Sequence, residues 1–464
     1  MKSGQKMNMT QGPILKLIIL FALPMCIGNI LQQLYNTVDT LIVGNFCGPI
    51  SLAAVGTSSQ PVELLLCVFL GLGTGVSILV AQHTGRKDFD QVRKVADTAV
   101  AFLYVCAIPV SILGSCVGPA ILNWMQVPVD TFDHASSYLR IIFWGTLGNL
   151  GYNLNAGILR GMGDSKASLL FLFVSCLVNI VLDLVFVAGF KMDVSGAAFA
   201  TSIAMFTSWF FSIAYIKIRY PELEFKILPR KINGAILKEI VEVGLPLGMN
   251  SSLYSIGHLL MQTLINAQGS AFIAAVAVAT RITNAPNMLA NALSASATTF
   301  SGQNLGAENY SRLKKGALRI PLFSGSVALT VGLILSVFSR PLLGAFTDDA
   351  QVIELAMRYV WIVLPFTSVF VVFNGIVCYV NGLGEIRYPT VVNILMLLGV
   401  RIPIGNLIAA MGYGTWVMIA VPISFVFALT CMLFYFRTRS WKEICSLAEA
   451  DASGSKILAG ADST

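Results

Sequence analysis

Long apolar runs interrupted by brief polar, glycine or proline punctuation organise the whole chain. A helix needs about 20 residues to cross the hydrocarbon of a bilayer. By that measure the pattern predicts twelve spanning helices, near 14–44, 51–82, 94–119, 131–159, 167–190, 194–218, 236–267, 271–301, 314–339, 352–381, 388–411 and 413–437. The longest polar connection, Lys217 to Lys238, carries Pro221 and Pro229 and separates the spans six and six. The expected organisation is therefore an N-terminal segment 1–13, a first six-helix lobe 14–218, a linker 219–235, a second lobe 236–437 and a tail 438–464. From Ser446 onward the tail is small and polar and is expected to be disordered.

The halves resemble each other. Gly244-Leu-Pro246 answers Ala22-Leu-Pro24, Gln303-Asn-Leu-Gly306 answers Gln82-His-Thr-Gly85, and Gly382-Leu-Gly-Glu385 answers Gly161-Met-Gly-Asp164, at offsets of 221 or 222 residues. Three matches at one spacing indicate a duplicated six-helix unit. Six spans return the chain to its starting side, so the repeats run parallel about an axis along the membrane normal, with a central cavity expected between them.

Composition agrees with this picture. The chain is 56% hydrophobic and 11% charged, with a mean hydropathy of +0.77, whereas soluble domains carry about 25% charged residues. The first apolar run is too long for a signal-peptide core and has no small-residue cleavage site after it, so it counts as a span. The net charge of +7 comes from clusters in alternate loops, such as Arg86, Lys87, Arg93 and Lys94, or Arg312, Lys314, Lys315 and Arg319. The positive-inside rule then predicts an even number of spans with both termini cytoplasmic, the expected location being the plasma membrane, and topology accounts for the charge without nucleic acid. The nine cysteines are scattered through apolar runs as small hydrophobes. No histidine cluster, paired Cys-x-x-Cys or His-Glu-x-x-His supports a metal centre or a zinc hydrolase. No nucleophile with its base is evident either, so the chain is not expected to be an enzyme or to need a cofactor.

Ionisable groups at membrane depth are the candidate chemistry. Gln32, Tyr35, Asn36 and Asp39 recur at spacings of three and four and share one stripe of the first helix, four turns beyond a potential hinge at Pro24. Asn179 and Asp183 share a face of the fifth helix, and Thr201 on the sixth falls at a similar level. Counting at 1.5 Å per residue places Asp39 about 9 Å and Asp183 about 10 Å below the outer loops. Two carboxylates at one depth with amide and hydroxyl neighbours can share a proton or hold Na⁺. The alternative is that each acid is satisfied separately, by a helix cap or a backbone donor. Asn155 lies nearer the cytoplasmic end and joins this layer only if the fourth helix tilts. At the repeat offset Asp39 maps to about Met261, Asn179 to Val400 and Asp183 to Ile404, so the acids belong to the first half alone. Glu63 either lines the cavity or reaches the outer loop, His258 reads as a satisfied core histidine, and Arg281 and Arg401 as cations paired with carbonyls or an acid.

Asp39 after Pro24, Leu159-Arg-Gly-Met-Gly-Asp-Ser-Lys166, Asn179-Ile-Val-Leu-Asp183, Gly196-Ala-Ala-Phe-Ala-Thr201 and Gly302-Gln-Asn-Leu-Gly-Ala307 together resemble the multidrug and toxic compound extrusion (MATE) family, in order from about Ile14 to Arg437. The resemblance implies an all-α fold of two six-helix lobes in a V, and a monomeric antiporter in the lipid bilayer. It would export small cationic or amphiphilic compounds in exchange for H⁺ or Na⁺ by alternating access. The chain looks most like the DinF-like branch, which implies Asp39 and Asp183 as titrating or ion-coordinating acids, with Asn179, Thr201 and Asn155 as partners. Na⁺ would then sit at Asp39, Asn179, Asp183 and Thr201. Gln32, Tyr35, Asn36 and Glu63 would face the substrate cavity, and Pro24 would be the moving bend. The NorM-like branch uses acids in spans seven and ten, where this chain reads Ser252-Leu-Tyr254 and Val371-Val-Phe-Asn374. A lipid or lipid-linked precursor flippase of related fold is the alternative, favoured if basic residues dominate the cavity.

Overall fold

The computed structural model describes residues 7–229 and 232–452, with side chains except at 60, 63–65 and 450–452. Each expected span is helical and no strand occurs among the described residues. In the first half the helices are α1 (Ile14–Phe46), α2 (Pro49–Gly85), α3 (Phe89–Trp124), α4 (Val129–Gly161), α5 (Ser165–Asp183) and α6 (Asp193–Arg219). The second half adds α7 (Gly234–Asn266), α8 (Ser270–Gly306), α9 (Tyr310–Val337), the short α10 (Ser339–Gly344), α11 (Ala350–Gly382), α12 (Arg387–Ile394), α13 (Ile402–Ala410) and α14 (Ala420–Tyr435). Among the described residues nine segments are long and apolar enough to cross a membrane; α4, α7 and α8 are more polar. Two of these are the enclosed helices of their bundles. Helix α4 packs on α2, α3 and α6, and α8 on α9 and α11, so few of their positions must satisfy lipid.

The chain forms two compact units, but their boundary differs from the expected linker. Leu23–Met249 belong to one, and Asn8–Ala22 with residues from Asn250 onward to the other. The division thus falls inside α1 and α7, beside Pro24 and Pro246. Close packing explains why the start of α7 stays with the first unit. A Cβ on Gly75 would come within 2.8 Å of Gly244 Cα, and one on Gly248 within 2.6 Å of the Val68 carbonyl oxygen, so α2 and α7 meet backbone to backbone. The segment before α1 joins the second unit through hydrogen bonds. The Met9 amide donates to Gln303 Oε1 (3.0 Å), while Asn304 Nδ2 (3.1 Å) and Arg312 Nε (3.2 Å) donate to the Met9 carbonyl. That is the physical use of the Gln303-Asn304 motif.

The connection between α6 and α7 is less of a free linker than its composition suggests. Leu223 and Phe225 are buried with the core of α2, α3, α4 and α6, and Arg93 pairs with Glu224 at 2.6 Å. The tail also departs from expectation, since α15 (Arg439–Ala452) is helical past Ser446. Its Trp441 is buried and stacks edge-on with Phe436, and Lys314 on α9 bonds Glu449 at 2.9 Å. An amphipathic face with an apolar anchor gained more than the polar composition implied. The remainder of the tail lies outside the described residues.

Asp164, from the repeated Gly-Met-Gly-Asp turn, caps α5 by accepting from the Ala167 amide at 3.1 Å. Its other oxygen accepts from the Tyr215 hydroxyl at 2.9 Å and the Tyr220 hydroxyl at 2.8 Å, tying α5 to the end of α6. Asp164→Ala removes a cap and strands two phenols. It is expected to cost about 3 kcal/mol, read as an earlier melting transition of the detergent-solubilised protein.

Candidate functional site

Helix α1 presents Tyr35 and Asp39 one turn apart, and α5 presents Asn179 and Asp183 one turn apart, so two periodic stripes face each other within the first unit. Asp183 and Asn179 are fully buried and Thr201 nearly so. Thr201 Oγ1 is the junction: it receives the Tyr35 hydroxyl and Asn179 Nδ2, each at 3.4 Å. The Asp39 and Asp183 carboxyls come within hydrogen-bonding range of each other. Two ionised carboxyls are both acceptors, so that contact becomes a hydrogen bond only with a proton between them.

The surrounding oxygens are also short of donors. Asp39 Oδ1, both Asp183 oxygens and Asn179 Oδ1 are buried without an aligned hydrogen-bond donor. Buried oxygens that converge from two acids and an amide without an aligned donor are costly unless a proton or cation supplies the missing positive charge. The set suits either species: hard oxygens for Na⁺, or a close like-charged pair for H⁺. Asp183 is the last residue of α5 before the backbone widens into a π-helical turn, Leu184–Gly189, in which the Phe190 amide reaches the Val185 carbonyl at 2.8 Å. Turns of this kind recur at functional positions because they re-aim the adjoining side chains.

Next to the acids, a cavity of about 170 Å³ inside the first unit is lined by Pro24, Gln32, Tyr35, Asn149, Asn153 and Arg160 among others. Tyr35 and Thr201 belong to both the cavity wall and the acid cluster. The structure therefore brings Asp39, Asp183, Asn179, Thr201 and Tyr35 together, and places Gln32 and Pro24 on the adjoining wall. Asn36 is solvent- or lipid-exposed and is not in that wall. The Glu63 side chain lies outside the described residues. Asn155 is not brought into the cluster: its amide donates to Ser212 Oγ at 2.8 Å, three turns along α6 from Thr201, about 16 Å at 1.5 Å per residue. Arg160, a cation that sequence reasoning did not place at the site, reaches the cavity wall. Its place at the end of α4, just before the glycine turn, was the available signal.

The two repeats slip by one residue within α5 and its counterpart. Burial along α5 matches α12 at an offset of 221 over residues 168–171 and 389–392, and matches at 222 from Asn179 and Arg401 onward. The extra residue is absorbed by the π-helical turn Leu395–Arg401, whose backbone bonds span five residues in place of four. The counterparts of Asn179 and Asp183 are therefore Arg401 and Gly405, not Val400 and Ile404. The second unit still lacks the acid pair.

A sequence profile of the MatE family matches residues 24–185 and 246–407, the same 222-residue offset at both ends. A relative, the probable multidrug resistance protein YpnP of Bacillus subtilis (strain 168), is 27% identical over 440 residues, covering 94% of this chain and 97% of that protein. The multidrug export protein MepA of Staphylococcus haemolyticus (strain JCSC1435) is 22% identical over 460 residues, covering 97% of this chain and all of its own. The fold is similar to a crystal structure of MATE in the straight conformation, with a TM-score of 0.86 at 24% identity over 97% of this chain and 100% of that one. It is also similar to the Vibrio cholerae MATE transporter VcmN in the bent form, with a TM-score of 0.83 at 18% identity over 93% of this chain and 97% of that one.

Proposed function

The chain belongs to the MatE family, and from that premise we propose that it is a multidrug efflux antiporter that exchanges H⁺ or Na⁺ for small organic cations or amphiphiles. The observation that carries the reading is the Asp39–Asp183 contact, with buried oxygens that lack an aligned donor, beside a polar cavity in the same unit. Its mechanism follows from linkage. A proton or Na⁺ entering between the two carboxyls neutralises their repulsion and draws α1 toward α5. An organic cation gains from the same charge only when the ion has left, so the two ligands favour different states and exclude each other.

Tyr35 and Thr201 join the ion cluster to the cavity wall, and Asn179, one turn before Asp183 on α5, donates to the same Thr201. Pro24 leaves α1 without one backbone hydrogen bond where the helix passes the cavity, which gives movement of Asp39 a place to bend the helix. The acid pair in the first half alone also fits the DinF-like branch. The loop charges support an orientation in the plasma membrane with both termini cytoplasmic.

The test is transport of a fluorescent organic cation such as ethidium in reconstituted vesicles, under an imposed pH gradient and separately a Na⁺ gradient. Movement against the cation's own gradient, driven by one of the two, is the expected result. Equal rates with and without either gradient would leave the antiport reading without support.

A further inference from the structure

The second unit contains a cavity of about 380 Å³ whose wall includes Tyr254, His258, Met261 and Arg401. At the 222-residue offset these are the counterparts of Gln32, Asn36, Asp39 and Asn179. At the two positions that belong to the acid cluster of the first unit, Asp39 and Asn179, the second unit thus carries the opposite charge balance. The acid of α1 is a thioether on α7, and the amide of α5 is a guanidinium.

Arg401 is 5% exposed, and its guanidinium is always charged. Nε donates to Ser424 Oγ on α14 at 3.0 Å, as Asn179 donates to Thr201 on α6, and the guanidinium lies 5.0 Å from the centre of the Phe425 ring. Nη2 is buried without a partner, and among the described residues no Asp or Glu lines the cavity. The expectation that Arg401 pairs with an acid or a carbonyl is not met. An uncompensated cation at membrane depth is costly, and such residues normally pair or serve a ligand.

We propose that this cavity is an anion-recognition site, in which the free Nη edge of Arg401 takes the carboxylate of a small amphiphilic organic anion. With Nε committed to Ser424, the two Nη groups remain for a bidentate carboxylate. Tyr254, Tyr359, Phe370 and Phe425 offer flat apolar surface to the anion's body, and Asn284 and Asn287 offer amide donors and acceptors. The volume is within the range of about 300–1,000 Å³ that holds drug-sized ligands. Met261 carries no charge, so no carboxylate among the described lining residues competes with the ligand for the guanidinium. The two units then recognise ligands of opposite sign, and the assignment stands whether or not the first unit couples to an ion gradient.

Binding to the purified full chain in nanodiscs of neutral phosphatidylcholine tests this without a transport assay. The probes are dansylglycine and its uncharged analogue dansylamide, followed by dansyl fluorescence. Dansylglycine is expected to bind at least tenfold more tightly than dansylamide to the unaltered protein, a comparison that needs no variant. Arg401→Gln should remove that preference while leaving dansylamide binding unchanged, and Arg401→Lys, which keeps the charge and loses the fork, should retain part of it. Equal affinity for the two probes would overturn the proposal, as would a preference that survives Arg401→Gln in a monodisperse preparation. Adding phosphatidylglycerol to the discs separates the sources of the anion. Retained dansylglycine binding supports a small organic anion, whereas Arg401-dependent displacement by the lipid would make its phosphate the ligand and overturn the assignment.

Discussion

Asp183→Asn is expected to reduce gradient-driven efflux about a hundredfold, at the upper end of couplings measured between linked sites. Asparagine has the same shape, so the fully buried position is refilled without a void. It can neither hold a proton in exchange nor contribute charge to Na⁺, and the repulsion that separates the ion-free state from the ion-bound one disappears. The new amide also supplies a donor to Asp39, whose Oδ1 otherwise lacks one. The variant should therefore express and melt at least as well as the parent while losing coupling. Asp39→Asn should behave alike, and the double variant should be no worse than either single one, because the two acids act as one site. Asn155→Ala is the internal control. Its partner is Ser212 and not an acid, so it should alter stability and leave ion dependence in place. Full gradient-driven efflux by Asp183→Asn would remove the acid pair from the mechanism.

Gly71→Leu is expected to prevent accumulation of folded protein. A Cβ at Gly71 would meet the Gly248 backbone nitrogen and Cα well inside contact distance, and lie 2.8 Å from the Gly244 carbonyl oxygen. These are backbone atoms of α7, which cannot rotate aside as a side chain would. Overpacking an ordinary core site costs roughly 1–3 kcal/mol, and a four-carbon side chain at a backbone-to-backbone crossing exceeds that range. The loss should appear as a collapsed size-exclusion peak. Gly56, whose Cβ would meet nothing within 4 Å on the same helix, should tolerate Ala with normal yield. A monodisperse, normally melting Gly71→Leu protein would mean that α2 and α7 do not cross in this way.

The helices were legible because apolar length and glycine or proline punctuation determine where a membrane span starts and stops. Juxtaposition of Asp39 with Asp183 was legible too, from counting residues to the outer loops at one rise per residue. The same arithmetic puts Asn155 nearer the cytoplasmic end of α4, and only the family resemblance groups it with the acids. Two features were invisible for a local reason. A π-helical turn inserts one residue without any composition signal, so the counterpart of Asn179 was read as Val400 when it is Arg401. The division of α1 and α7 between the units depends on glycine contacts and on the Met9 hydrogen bonds, neither of which leaves a periodic trace in the sequence. Helix α15 was read from its polar residues, and its folding depends on one buried tryptophan.

The proposed antiport requires one ion and one organic cation to compete through the Asp39–Asp183 pair. Its most direct measurement is ion release on substrate binding: ethidium is added to purified protein in weakly buffered solution, with a pH indicator in one series and ²²Na⁺ retention in another. The expected result is release of about one H⁺ or one Na⁺ per protein, saturating with ethidium binding and absent in Asp183→Asn. Saturable ethidium binding with no release of either ion, or release undiminished in Asp183→Asn, would contradict the account.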